Sequence, residues 1–168
     1  MFTRILLAID DSASSEAAIS FATAMARQSA ASVRVVHVNE YIVGGRGFTI
    51  ETQKEAIQHL ERAVASLRSA GIPTEGTLYL TSCFGVDVRI AGAAHDWSAD
   101  VIVLGSRRQR RFGRLARFAG KGVRERVTEL TALPVLTAPA PLQVASGNLP
   151  GLEELSRPPL ADYPSISI

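Results

Sequence analysis

RILLAIDDS, residues 4–12, is a continuous apolar run that stops abruptly at two carboxylates and a serine. A run of this kind, polar only at its end, is how a strand buried on both faces reads when it feeds a helix. Such a strand belongs to a parallel sheet, so strands and helices should alternate outward from it. Glu16 suits a first helical turn and Ser12 or Ser14 its cap, and Ala17, Ile19, Phe21, Ala22 and Met25 continue as a small-residue helix. SVRVVHV (32–38) is a second strand, rich in β-branched residues. NEYIVGGRGFT (39–49) holds three glycines and reads as an irregular, mobile loop.

From Glu51 the spacing of Ala56, Ile57, Leu60, Ala63, Val64 and Leu67 predicts one helical face, stopped by SAGIP (69–73). TEGTLYL (74–80) is a third strand, and VDVRIAGAAHDW (86–97) a helix whose Trp97 covers the core. ADVIVLG (99–105) is the fourth and most apolar strand. Val123, Val127 and Leu130 recur at helical spacing, and LPVLTAP (133–139) is a last strand bracketed by prolines, as an edge tolerates. The pattern predicts an α/β fold, a doubly wound five-stranded parallel sheet with helices on both faces. In such sheets ligands bind beyond the carboxyl ends of the strands, where the winding reverses, so the ends of the first and fourth strands define the expected site.

The 168 residues suit one domain, read as 1–140, followed by a Pro-, Gly- and Ser-rich irregular tail, 141–168. No apolar run approaches bilayer length, which excludes a membrane protein and predicts a cytoplasmic one. A single cysteine, Cys83, excludes an internal disulfide framework. His37 lies between Val36 and Val38 in the second strand and reads as a half-buried, hydrogen-bonded histidine. His59 and His95 fall on separate helices, and no two histidines have metal-ligand spacing, so no metal site is expected. Asp10 and Asp11 are adjacent, but successive residues leaving a strand point apart, which favours ribose binding by Asp10 and capping by Asp11 over paired acid/base work. No Ser-His-Asp, Cys-His or paired-carboxylate arrangement stands out, so no catalytic residue is assigned.

The formal net charge of +2 conceals an asymmetry. Residues 107–126 carry nine basic side chains and one acidic, Glu125, while the remainder carries nine basic and fifteen acidic, a net −6. The excess is concentrated in GSRRQRRFGRLARFAGKGVRER (105–126), directly after the fourth strand.

RILLAIDDS at the start, VVHV (35–38), ADVIVLGSR (99–107) and VRERVTELTALPVLTAP (123–139), in this order and spacing, resemble the universal stress protein family over nearly all of 3–138. The resemblance implies the strand order 3-2-1-4-5, an adenine nucleotide alpha hydrolase-like fold, and a homodimer through the last strand, Leu133 to Thr137. Many members bind ATP through glycine, two residues, glycine, nine residues, glycine, then Ser or Thr, where amides and a helix N-terminus close on the phosphates. Carried over, Asp10, Val38 and Gly105 match, with Ser106, Gly120, Lys121 and Gly122 as further nucleotide-binding candidates. Arg108 stands where the second glycine is expected, the segment is about three residues longer, and Lys121-Gly122 replace the final Gly-Ser pair.

Three readings of the basic segment stand side by side: a solvated loop, an anion or nucleotide site in which arginines wrap the phosphates from outside, and a docking patch for nucleic acid or an acidic protein. The anion or partner patch is assigned to five of its nine cations, Arg107, Arg108, Arg110, Arg111 and Arg114, and Phe112 and Phe118 are the aromatics of the segment. The function expected is a stress-responsive binding or signalling module without turnover, with weak adenine-nucleotide binding and ATP with Mg2+ as the cofactor to test. An ATP-binding switch or slow ATPase, and an adaptor working through its arginines, are the alternatives.

Overall fold

The computed structural model describes residues 1–12, 14–42, 48–49, 51–82, 85–106 and 121–139. In chain order these form β1 (Arg4–Ile9), α1 (Ser14–Ser29), β2 (Ser32–Ile42), β3 (Phe48–Thr49), α2 (Gln53–Ser69), β4 (Thr74–Ser82), α3 (Val86–Asp96), β5 (Val101–Leu104), α4 (Val123–Leu130) and β6 (Val135–Thr137). Five strands are parallel in the order β4-β2-β1-β5-β6, the 3-2-1-4-5 winding expected once the two-residue β3 is set aside. β3 is antiparallel to the end of β2.

β1 is the axis of the sheet because its apolar residues leave on both faces. Ile5, Leu7 and Ile9 join Val33 and Val35 beneath α1 and α2, while Leu6 and Ala8 join Val36 and Ile102 beneath α3 and α4. Burying a large aliphatic side chain contributes about 1.5–3 kcal/mol, so this strand, enclosed on both sides, anchors both layers. α1 presents Ala18, Ala22 and Ala26 to the sheet, and these small side chains let the helix pack close.

The end of α2 shows why SAGIP stops a helix. Gly71 takes φ +81°, its N–H donates to Arg68 O (2.9 Å), and Ile72 N–H donates to Leu67 O (3.1 Å). This is the paired closure of a Schellman turn, which needs a residue without a Cβ penalty in the left-handed region. At the other end Thr52 and Glu55 form a reciprocal capping box, Thr52 N–H donating to Glu55 Oε2 (2.9 Å) and Glu55 N–H to Thr52 Oγ1 (3.3 Å).

Two local expectations are corrected. The stretch 39–49 is not wholly irregular: β2 continues through Ile42, and β3 folds back on it at Tyr41 and Ile42. β4 supplies the reason, since it pairs with β2 as far as Tyr41↔Ser82 and so satisfies the backbone along 39–41. Asn39 is buried, and its Nδ2 donates to Glu51 O (3.1 Å). Ser14 is the first residue of α1 rather than its cap. Trp97 packs half-buried against the α3–α4 layer, with the Arg34 guanidinium 5.0 Å above its ring. Cys83 and residues 141–168 lie outside the described residues.

Candidate functional site

The site predicted by the winding lies where β1 and β5 end side by side. β1 stops at Ile9, and the chain turns on Asp10 through a set of short hydrogen bonds. Asp10 N–H donates to Ser15 Oγ (2.9 Å), and Ser12 N–H donates to Asp10 Oδ1 (3.0 Å), an Asx-type turn. The hydroxyls of Ser12 and Ser15 also lie on Oδ1, the latter at 2.9 Å. Every hydrogen bond from a described residue to this carboxylate uses Oδ1, so its direction is fixed while the residue stays exposed.

Val38 is the first residue of β2 beyond the end of β1, which pairs no further than His37. β3 takes up the same edge only at Tyr41, so along this edge the ladder to β1 ends at His37 and the ladder to β3 begins at Tyr41. A fixed, exposed carboxylate thus stands beside the stretch of β2 between its two ladders. That arrangement can hold a ribose and the polar rim of a base.

Gly105 follows β5 and faces the start of α1. A Cβ there would come 2.8 Å from Ser14 Oγ and 3.3 Å from Ser14 O, so any side chain would force Ser14 to shift. This close approach of strand end and helix start favours glycine whether or not a phosphate ever meets it. Ser106, half-buried, is the last described residue before the basic segment. Arg107, Arg108, Arg110, Arg111, Arg114, Phe112, Phe118 and Gly120 lie outside the described residues.

On the far side of that segment, Lys121 pairs with Glu129, and Gly122 caps α4. Glycine has no side chain to offer the helix, so only half a capping box forms: the Glu125 carboxylate accepts from Gly122 N–H. A carboxylate of the chain itself therefore occupies the helix start where a phosphate would bind. Nearby, Arg126 Nε donates to Asp87 Oδ2 (2.9 Å), and Arg126 Nη1 donates to Lys121 O (2.7 Å). Asp87, 6% exposed in the first turn of α3, has no hydrogen-bond partner for Oδ1 among the described residues. Neither Asp87 nor its pairing was legible in the sequence, where 39 residues separate it from Arg126.

The histidines are arranged differently from what their spacing suggests. His37 is 2% exposed rather than half-buried. Its ring centroid is 6.2 Å from that of His59 on α2, with Glu51 between them. His95 is exposed on α3, beside Asp96. A cavity of about 500 Å³ lined by Arg4, Ser32, Thr74, Glu75 and Trp97 lies at the amino ends of the strands, the opposite end from the site. The candidate site is the one at the carboxyl ends, where the fixed carboxylate of Asp10 and the end of the β1–β2 ladder meet.

A family model described as the universal stress protein family matches residues 1–139. The chain belongs to the universal stress protein family. No curated protein matches it. Among solved structures, the universal stress protein from Archaeoglobus fulgidus in complex with dAMP is 27% identical, with 82% of this chain and 98% of that one covered and a TM-score of 0.61. A universal stress protein family member from Burkholderia pseudomallei is 23% identical, covering 82% and 96%, with a TM-score of 0.63. A universal stress protein in complex with cAMP is 21% identical, covering 82% and 97%, at 0.59. The last two are similar in fold. Among the described residues no helix is long and apolar enough to cross a membrane.

Proposed function

We propose that this universal stress protein is a non-catalytic binding module that takes an adenine nucleotide by its nucleoside end, weakly, and works as a homodimer in the cytoplasm. The observation that carries the reading is Asp10, aimed by Ser12 and Ser15 and exposed beside Val38, where the β1–β2 ladder has ended. The dAMP complex of the Archaeoglobus fulgidus relative supports an adenine ligand. The described residues fit the nucleoside better than a magnesium triphosphate. At the start of α4, Lys121 and Gly122 offer no hydroxyl for a metal, and Glu125 holds the Gly122 N–H. Among the described candidates, Ser106 and Lys121 would touch only the phosphate end. A single cysteine in 168 residues supports the cytoplasmic setting.

Calorimetry with AMP, dAMP and ATP, the last with and without Mg2+, tests this. Saturable AMP binding is expected, with ATP no tighter than AMP. Asp10→Ala should weaken AMP about tenfold, the worth of a charge-assisted hydrogen bond of roughly 1.5 kcal/mol. Absence of saturable binding, or indifference to Asp10→Ala, would overturn the nucleotide reading.

A further inference from the structure

We propose that His37, Glu51 and His59 form a binding site for a divalent transition-metal ion, with Zn2+ the best match. The argument begins with a proton. His37 Nδ1 lies 3.1 Å from Ile9 O, and a carbonyl can only accept, so Nδ1 carries hydrogen. In the neutral ring Nε2 is then a bare lone pair, yet it lies 3.0 Å from Glu51 Oε2, a second lone-pair donor. Two acceptors at that distance in a buried place need a cation between them.

A proton would satisfy that pair and nothing more. It leaves Glu51 Oε1 and His59 Nδ1, which are buried, 3.7 Å apart and without a hydrogen-bond partner among the described residues. Two unpartnered donor atoms meeting at the same carboxylate are costly unless something bridges them. One atom from each of the three residues can be chosen so that all lie within 4.8 Å of one another. Zinc bonds of about 2.0–2.2 Å in tetrahedral geometry place ligand atoms roughly 3.3 Å apart, so binding requires only a modest closing of the cluster. Two imidazoles and a carboxylate are a zinc donor set, and the Nδ1–H to Ile9 O bond is the kind of outer contact that orients a ligating histidine. The His59 side chain is 27% exposed, which puts one edge of the cluster within reach of solvent.

The three residues come from β2, the segment before α2, and α2 itself, so a bound ion would tie α2 to the sheet next to the carboxyl end of β1. Glu51 is held for this by its neighbours: Asn39 bonds its carbonyl, and the Thr52–Glu55 box fixes the chain just after it.

The test is calorimetric titration of chelator-stripped protein with ZnCl2, together with thermal melts. One Zn2+ per chain is expected, at ~1 μM or tighter, with Tm raised by the metal. His59→Ala, on the partly exposed helix position, and the isosteric Glu51→Gln should each weaken binding at least about 100-fold and abolish the rise in Tm. Circular dichroism of the stripped variants establishes that they are folded, and His95→Ala should bind as the parent does. Zinc uptake unchanged in folded His59→Ala, or no saturable uptake by the parent, would overturn the site and leave a proton-bridged pair.

Discussion

Glu125 is the residue on which the phosphate end of the proposed nucleotide site turns. Its carboxylate takes the Gly122 N–H at the start of α4, stabilising the helix in the way an anion stabilises any helix N-terminus. An incoming phosphate would have to displace it. Glu125→Ala should therefore cost about 0.5–1 kcal/mol of stability while strengthening ATP roughly threefold, the equivalent of about 0.7 kcal/mol. Adenosine, which has no phosphate, should bind the variant and the parent alike. Calorimetry with both ligands separates these outcomes, and equal changes for ATP and adenosine would contradict the competition. Gly105 gives the complementary lesson: the sequence pattern points to phosphate, yet the close approach of Ser14 also favours glycine there.

At the scale of elements, Asp100 fastens the beginning of β1 to the beginning of β5. Its Oδ2 accepts from Thr3 N–H (2.6 Å), Thr3 Oγ1 (2.7 Å) and Arg4 N–H (2.8 Å). The Thr3 hydroxyl hydrogen bond first, then the two amides, hold the carboxyl below its ordinary value of 3.8. A carboxyl lowered by folding stabilises the native state above its unfolded pKa, and that stabilisation is lost as pH falls through the folded value. Asp100→Asn should cost about 1 kcal/mol at pH 7, since the group is near the surface, and the difference from the parent should shrink as pH drops below 3.8. Urea melts across pH 7 to 2 measure it, and a constant difference would show that the charge is not what matters. The strands themselves were legible because β1 and β5 are apolar runs with polar ends. The extension of β2 through Ile42 was not, because Asn39, Glu40 and Tyr41 carry no strand alternation and are held by pairing with the distant β4. The His37–Glu51–His59 cluster was illegible for the same reason: only the fold brings residues 14 and 22 positions apart to one point.

For the whole molecule, the question is what covers the outer edge of β6. Among the described residues the strand pairs with β5 alone, and Val135, Leu136 and Thr137 are half-buried while Leu130 on α4 is 51% exposed. Such an edge favours pairing with a second copy, which is the dimer proposed above. The hydrogen-bond parity makes a selective test possible. Ile102 N–H donates to Pro134 O and Ala138 N–H donates to Leu104 O, so in this parallel ladder residues 134, 136 and 138 turn their polar groups towards β5. Val135 and Thr137 must turn theirs outward. Thr137→Pro removes one outward N–H without touching a bond to β5, at an edge position where proline is tolerated. The variant should keep the parent's Tm to within about 3 °C and pass from dimer to monomer in light scattering coupled to gel filtration. A dimer that survives Thr137→Pro with the same dissociation constant would place the interface on another face of the molecule.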